Sequence, residues 1–157
     1  MARIRALGLL VSLVTVASAA LAADPLAAVK SVRIETLGSK PGSAEVLKEL
    51  DHELQKTAKL RVADAAGEAD ATIRGDCEIW VRGYVSLNPR AGSGPGRGTP
   101  VYGGFLSVEL RDRHNAVLWS YLATPHAGSS DAARDLSRQV ARSLKEALEK
   151  AARKDQP

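Results

Sequence analysis

The chain has 157 residues, a formal net charge of +4, 45% hydrophobic residues and only 4% aromatic residues. The single cysteine, Cys77, excludes an internal disulfide, so stability must come from a packed core made mostly of Leu, Val, Ile and Ala. Arg3 and Arg5 lie in a segment predicted to be removed, and without them 20 basic residues face 18 acidic ones. A charge this small does not argue for nucleic-acid binding.

The N-terminus has the pattern of a signal peptide. A basic head, Met1–Arg5, precedes an apolar run over 6–16, and Ala20-Leu21-Ala22 fits the small-residue cleavage pattern. We therefore predict a signal peptide over residues 1–22 and a mature protein in the periplasm or outside the cell. No cysteine follows the apolar run, so a lipid-modified cysteine is not expected. The alternative is a retained membrane anchor, which needs roughly 20 apolar residues.

Hydrophobic periodicity predicts the secondary structure. From Ala71 to Arg82 apolar and polar residues alternate with a period of two, which is typical of a strand with one buried face. Two segments instead carry apolar residues at helical spacing, one with Leu50 and Leu54 and one with Leu136 and Val140. In chain order the predicted elements are a strand over 29–37, a helix from the N-cap Ser43 to 57, and strands over 59–62, 70–85, 101–111 and 116–124. A helix from 130 or 131 to 150 closes the chain.

This order, β-α-β-β-β-β-α, predicts an α+β fold of two layers, with two helices on one face of a mixed sheet. The first strand-helix-strand unit predicts a right-handed crossover that makes the first two strands parallel. We expect one domain over residues 23–157.

A glycine- and proline-rich stretch at about 87–100 interrupts the strands. It contains Gly92, Gly94, Gly96 and Gly98, but it joins two strands and lacks the lysine of a phosphate-binding loop. We predict a flexible arm there. Its two arginines, Arg90 and Arg97, could meet an acidic or phosphorylated partner that orders the arm.

The polar face of the long strand carries the candidate binding residues. Trp80, Arg82 and Tyr84 end this strand, and Tyr102 begins the strand after the arm. If the two strands pair, these aromatic and arginine side chains would gather at one end of the polar face. Tryptophan, tyrosine and arginine are enriched at binding hot spots. The predicted partner-binding residues are therefore Trp80, Arg82, Tyr84, Arg90, Arg97 and Tyr102, and the alternative is a tryptophan that merely covers the sheet.

No residue pattern indicates catalysis, a metal or a cofactor. His52, His114 and His126 lie far apart in the sequence, without a second ligand at metal-binding spacing. Cys77 falls on the inward-facing side of its strand, where cysteines are usually inert. We therefore predict no catalytic residue, no metal site and no cofactor.

The sequence resembles small bacterial envelope domains in one hairpin and in the order of its elements. The hairpin is 109–120, with Glu109-Leu110-Arg111-Asp112 before its turn and Ala116–Ser120 after it, and Ala69-Asp70-Ala71 opens the preceding long strand. Similar patterns occur in the N-terminal domain of the Tol system's propeller protein, in penicillin-binding-protein activator lipoproteins and in curli-secretion-type lipoproteins. The resemblance implies a non-enzymatic periplasmic accessory domain that binds another envelope component.

The predicted function is thus a periplasmic or secreted binding module that acts on an envelope protein or polymer. No stable membrane span is expected after cleavage, and no nucleic acid is expected as a partner. Two alternatives stay open: a small secreted hydrolase or thiol enzyme, and a transport-accessory domain.

Overall fold

The computed structural model describes residues 24–64, 67–86 and 98–154. The predicted signal peptide and most of the predicted arm, including Arg90 and Arg97, lie outside the described residues.

The observed elements follow the predicted order. They are β1 (Ser31–Ile34), α1 (Ser43–Glu53), β2 (Arg61–Val62), β3 (Ala71–Val85), β4 (Thr99–Asp112), β5 (Val117–Ala123) and α2 (Ala132–Lys154). Helix α1 continues into a π-helical turn, Leu54–Ala58, which ends where Lys59 adopts a positive φ of 55°. The fold class predicted from the sequence, α+β with a mixed sheet and two helices, is confirmed.

The five strands form one sheet in the order β2-β1-β3-β4-β5. Strand β1 lies parallel to both β2 and β3, whereas β3, β4 and β5 pair antiparallel. The predicted parallel crossover between β1 and β2 is therefore confirmed.

The N-terminus of α1 differs from the predicted cap. Gly42, not Ser43, occupies the N-cap position, and its φ of 87° lies in the left-handed region that glycine adopts most readily. Ser43 has its hydroxyl turned back to donate to the carbonyl of Lys40 at 2.8 Å. A hydroxyl used in this way does not cap the helix, so the prediction of Ser43 as the N-cap was wrong.

Strand β1 is shorter than predicted, because the chain stops pairing regularly after Ile34. The following loop still runs along β3: Glu35 N–H donates to the carbonyl of Ile73, and Ile79 N–H donates to that of Pro41. Gly42 lies against Ile79, where an added Cβ would sit 3.1 Å from the Ile79 side chain. The loop therefore brings Lys40 to the edge of β3.

Asp70 joins the start of β3 to β1. Its carboxylate accepts hydrogen bonds from the Ser31 hydroxyl at 2.8 Å, from Ser31 N–H at 2.9 Å and from Lys30 N–H at 3.1 Å. The Ser31 hydroxyl bond, followed by the two backbone bonds, lowers the pKa of Asp70 below its usual value. Asp70 thus fixes where β3 begins beside β1.

Both helices pack on the same side of the sheet and cover its apolar residues. The core has no exposed surface at Leu50, Ile73, Leu110 and Leu136. Between the helices, the fully buried Ser137 hydroxyl donates to the carbonyl of Val46 at 3.3 Å. Within the described residues no helix covers the other side of the sheet, which we call the open face.

Candidate functional site

The strand register defines which side chains share the open face. Residues that pair directly in neighbouring strands point to the same side, and successive residues alternate. The open face therefore carries charged and polar side chains in its middle and at one end, and an exposed tryptophan at the other. From β1 across to β5 it includes Arg33, Thr72, Arg74, Asp76, Glu78, Trp80, Phe105, Ser107, Glu109, Arg111, Ser120 and Leu122.

Lys40 organises the middle of the open face. Its Nζ lies 3.0 Å from Asp76 Oδ2 and 3.3 Å from Glu78 Oε2, and 5.3 Å from the centre of the Phe105 ring. Hydrogen bonds to Asp76 and then Glu78 raise the pKa of Lys40 above its usual value. The three charged side chains are well exposed, so the arrangement orders the surface more than it stabilises the fold.

Arginines surround a cavity of about 580 Å³ at the β1 end of the open face, lined in part by Arg33, Arg74, Arg111 and Arg113. Three of the four are ion-paired: Arg74 with Glu35 at 2.7 Å, Arg111 with Glu109 at 2.6 Å, and Arg113 with Asp70 at 3.6 Å. The positive charge that an anion would need is therefore largely compensated. Sequence reasoning missed this cluster, since only the strand register brings its members together.

Beyond the other end of the core, β3 and β4 continue as a two-stranded ribbon, formed by 79–85 and 99–104. Strand β1 pairs with β3 only as far as Ile73, and β5 pairs with β4 only from Leu106 onward. Among the described residues, the ribbon strands therefore pair with each other, with one further backbone bond from Ile79 N–H to the carbonyl of Pro41. Isolated two-stranded ribbons are marginally stable in water, so a partner that covers this one would stabilise it.

Trp80 and Arg82 lie together on the open face of the ribbon. Trp80 pairs with Gly103, and a Cβ added to Gly103 would lie 2.7 Å from both Trp80 Nε1 and Arg82 Cγ. The two side chains thus meet above a residue that has no side chain of its own. Trp80 remains 47% exposed, and Val81 and Val85 on the same ribbon are also exposed.

The two tyrosines lie on the opposite face from Trp80. Tyr102 is the neighbour of Gly103, which pairs with Trp80, so it points to the other side by ordinary alternation, and a β-bulge between Val81 and Gly83 turns Tyr84 to that side as well. Past the bulge Tyr84 pairs with Pro100, which shares a face with Tyr102. The expectation that Tyr84 and Tyr102 gather with Trp80 and Arg82 was therefore wrong: one extra residue in β3 reverses which side Tyr84 faces. Tyr102 instead lines a cavity of about 290 Å³ on the helix side, with Glu45 and Ala132.

The remaining candidate groups belong to the core or to surface contacts. His126 lies 2.8 Å from Asp135 through its Nδ1. Burial opposes ionisation of Asp135, but the bonds from His126 outweigh it and lower its pKa. Within residues 24–64, 67–86 and 98–154, no three His, Cys, Asp or Glu side chains are grouped as a metal site would need.

Cys77 has no exposed surface. Burial, with smaller contributions from Asp76 and Glu78, raises the pKa of its thiol to about 11. Only a thiolate is an effective nucleophile, so this thiol is poorly suited to covalent catalysis.

We expect Cys77 to react roughly a hundredfold more slowly with a disulfide reagent at pH 8 in the folded protein than in urea. The rate of thiol release, followed by absorbance in both states, measures this ratio. Equal rates would show that the thiol is accessible and would restore the possibility of a thiol enzyme.

No helix in the described part of the chain is long and apolar enough to cross a membrane.

No family model matches the chain, and no curated protein matches it. Several solved structures are similar at low identity. A PelC dodecamer variant from Paraburkholderia phytofirmans is 19% identical over 74% of this chain and 88% of that chain, with a TM-score of 0.47. An uncharacterized lipoprotein B from Nitrosomonas europaea is 18% identical over 82% and 89%, with a TM-score of 0.49. A minor lipoprotein from Acinetobacter baumannii is 12% identical over 80% and 94%, with a TM-score of 0.39.

Proposed function

We propose that the protein is a non-enzymatic binding module of the bacterial cell envelope, and that it binds a protein partner through the open face of the ribbon. The carrying observation is Trp80, which is 47% exposed beside Arg82 on a ribbon that no further strand of the described residues flanks. The sequence of residues 1–22, with its signal-peptide pattern, supports an envelope location.

The surface chemistry of the ribbon favours a protein over a polymer. On the open face Trp80 exposes apolar surface beside the Arg82 side chain, and Val85, further along the same strand, is also exposed. Exposed aliphatic residues gain most from apolar protein side chains, whereas an envelope glycan offers mainly hydroxyl groups to them. Tryptophan and arginine are also both enriched at the energetic hot spots of protein interfaces.

Trp80→Ala and Arg82→Ala are expected to weaken partner binding by about 2 kcal/mol or more each, which corresponds to roughly thirtyfold in affinity. Their thermal midpoints should stay close to that of the parent protein, because both side chains lie outside the core. Arg61→Ala, on the exposed edge strand β2, removes the same charge far from the ribbon and should change neither property.

The partner can be found by photo-crosslinking in intact cells, with a photoreactive residue at position 80 and the same residue at position 61 as the control. We expect one dominant protein from position 80 that is absent from position 61. That protein, once purified, should bind the parent chain and bind the Trp80→Ala variant more weakly. A glycan crosslinked from position 80 would show that the partner is a polymer and not a protein. Equal background crosslinking from positions 80 and 61 would overturn the proposal.

A further inference from the structure

The two edges of the sheet differ sharply in how they are protected. Strand β2 is only two residues long and carries the exposed Arg61, and a short, charged edge discourages pairing with another chain. Strand β5, at the other edge, is seven residues long and has no charged residue and no proline. Its Val117 is 50% exposed and its Leu122 62% exposed. An edge with these properties presents unpaired backbone groups on which a strand of another chain can pair.

We propose that β5 pairs with β5 of a second copy of this chain, antiparallel and centred on Ser120, to form a symmetric dimer. This surface is separate from the ribbon and does not depend on the proposed function.

The sequence of β5 identifies the occupant. Leu118-Trp119-Ser120-Tyr121-Leu122 reads nearly the same in both directions about Ser120. In an antiparallel pair centred there, each residue meets its counterpart at the mirrored position, so serine meets serine and tryptophan meets tyrosine. Leu118 lies at a β-bulge, between the pairs Leu110–Trp119 and Arg111–Val117, and falls outside this regular register. A two-fold interface requires such self-complementarity, because the same patch serves both subunits.

The aromatic residues of β5 suit the same register. Trp119 and Tyr121 pair with Leu110 and Val108, so they lie on the helix side of the sheet at its edge. Their rings are stacked, with centroids 5.9 Å apart and planes within 8° of parallel. Pairing about Ser120 sets Trp119 opposite Tyr121 of the second copy, and the reverse, so that two rings from each strand form one cluster of four. Cross-strand aromatic pairs of this kind stabilise sheets.

Other arrangements of the same chain fit less well. Pairing of β5 with β2 of a second copy would be head-to-tail and would offer a two-residue strand to a seven-residue one. A parallel pairing of β5 with itself would oppose tryptophan to tryptophan in a geometry that is slightly less stable per residue. The antiparallel dimer pairs the regular part of β5 around Ser120, on the C-terminal side of the β-bulge at Leu118.

Sedimentation of the purified protein over a range of concentrations tests the dimer. We expect a reversible monomer–dimer equilibrium in the parent protein, and Ser120→Lys should raise the dissociation constant about tenfold or more, because two like charges would meet on the two-fold axis. Ser107→Lys places the same charge on the open face of the neighbouring inner strand β4 and should leave the equilibrium unchanged. A parent protein that is monomeric throughout, or a dimer insensitive to Ser120→Lys, would overturn the proposal.

Cysteine crosslinking tests the register. The buried Cys77 gives an inert background, so an introduced cysteine reports its own neighbours. Ser120→Cys alone should form an intermolecular disulfide on mild oxidation, while Leu122→Cys alone should form several times less. A mixture of Trp119→Cys and Tyr121→Cys should crosslink as a heterodimer. Efficient disulfide formation between two copies of Leu122→Cys, or no disulfide between two copies of Ser120→Cys, would exclude this register. Protection of β5 by a strand from another protein would show that this protein, and not a second copy of the chain, pairs with β5.

Discussion

Replacing Gly75 by alanine should lower the free energy of unfolding by about 3 kcal/mol. Gly75 pairs with Val108 in the middle of β3 and β4, on the side covered by the helices. An added Cβ would overlap the carbonyl oxygen of Ser107 and lie 3.1 Å from Val108 Cγ1. Since the clash is with the backbone of a paired strand, rotation of a side chain cannot relieve it. Urea unfolding followed by tryptophan fluorescence measures the loss.

Gly83→Ala is the matched control for this experiment. Gly83 lies in the same strand, but no atom outside its chain neighbours falls within 4 Å of an added Cβ. We expect Gly83→Ala to leave the free energy of unfolding unchanged or to raise it by about 0.5 kcal/mol, because alanine restricts the unfolded chain more than glycine does. Equal losses in both variants would show that glycine is needed along the whole of β3, and not for the close approach at Ser107.

The sequence was sufficient to predict the order of the elements, because alternation and helical spacing are local signals. In β3 the alternation from Ala71 onward predicted the buried Ile73 and Cys77 correctly. The boundaries of β1 were less predictable. They depend on where the chain leaves the edge of β3, and that depends on the loop contacts of Pro41 and Gly42 with Ile79.

The candidate site was predictable only in part. Trp80 and Arg82 lie together over Gly103, because Trp80 precedes the register shift and Arg82 is the extra residue at it, whereas Tyr84 follows it. Gly83 inside a strand was a usable signal, since glycine there often marks a bulge. The arginine cluster had no local signal: Arg33, Arg74 and Arg111 are far apart in the sequence, and only the pairing of three strands assembles them.

The second large effect is expected between the helices. Glu53 on α1 has a side chain only 4% exposed, and its carboxylate accepts from Arg138 Nε at 3.2 Å and from the Thr57 hydroxyl at 3.1 Å. Arg138→Ala would leave a buried carboxylate with one neutral partner. We expect the free energy of unfolding to fall by about 2–3 kcal/mol. This value lies at the lower end for a broken buried ion pair, because Arg138 itself is half-exposed. Urea unfolding at pH 7 measures it.

The neighbouring pair on the same helices provides the control. Arg134 Nε lies 3.3 Å from Glu49, one turn earlier on both helices, but Glu49 is 22% exposed and water can replace the lost partner. Arg134→Ala should therefore lower the free energy of unfolding by less than about 1 kcal/mol. The variant carrying both Glu53→Gln and Arg138→Ala should recover part of the stability lost by Arg138→Ala, because a neutral amide is cheaper to bury than a carboxylate. The contrary result would be equal losses of stability in Arg134→Ala and Arg138→Ala, with no recovery in the double variant. It would mean that both arginines stabilise the protein by packing their aliphatic stems against α1, and that the burial of the Glu53 carboxylate is not decisive.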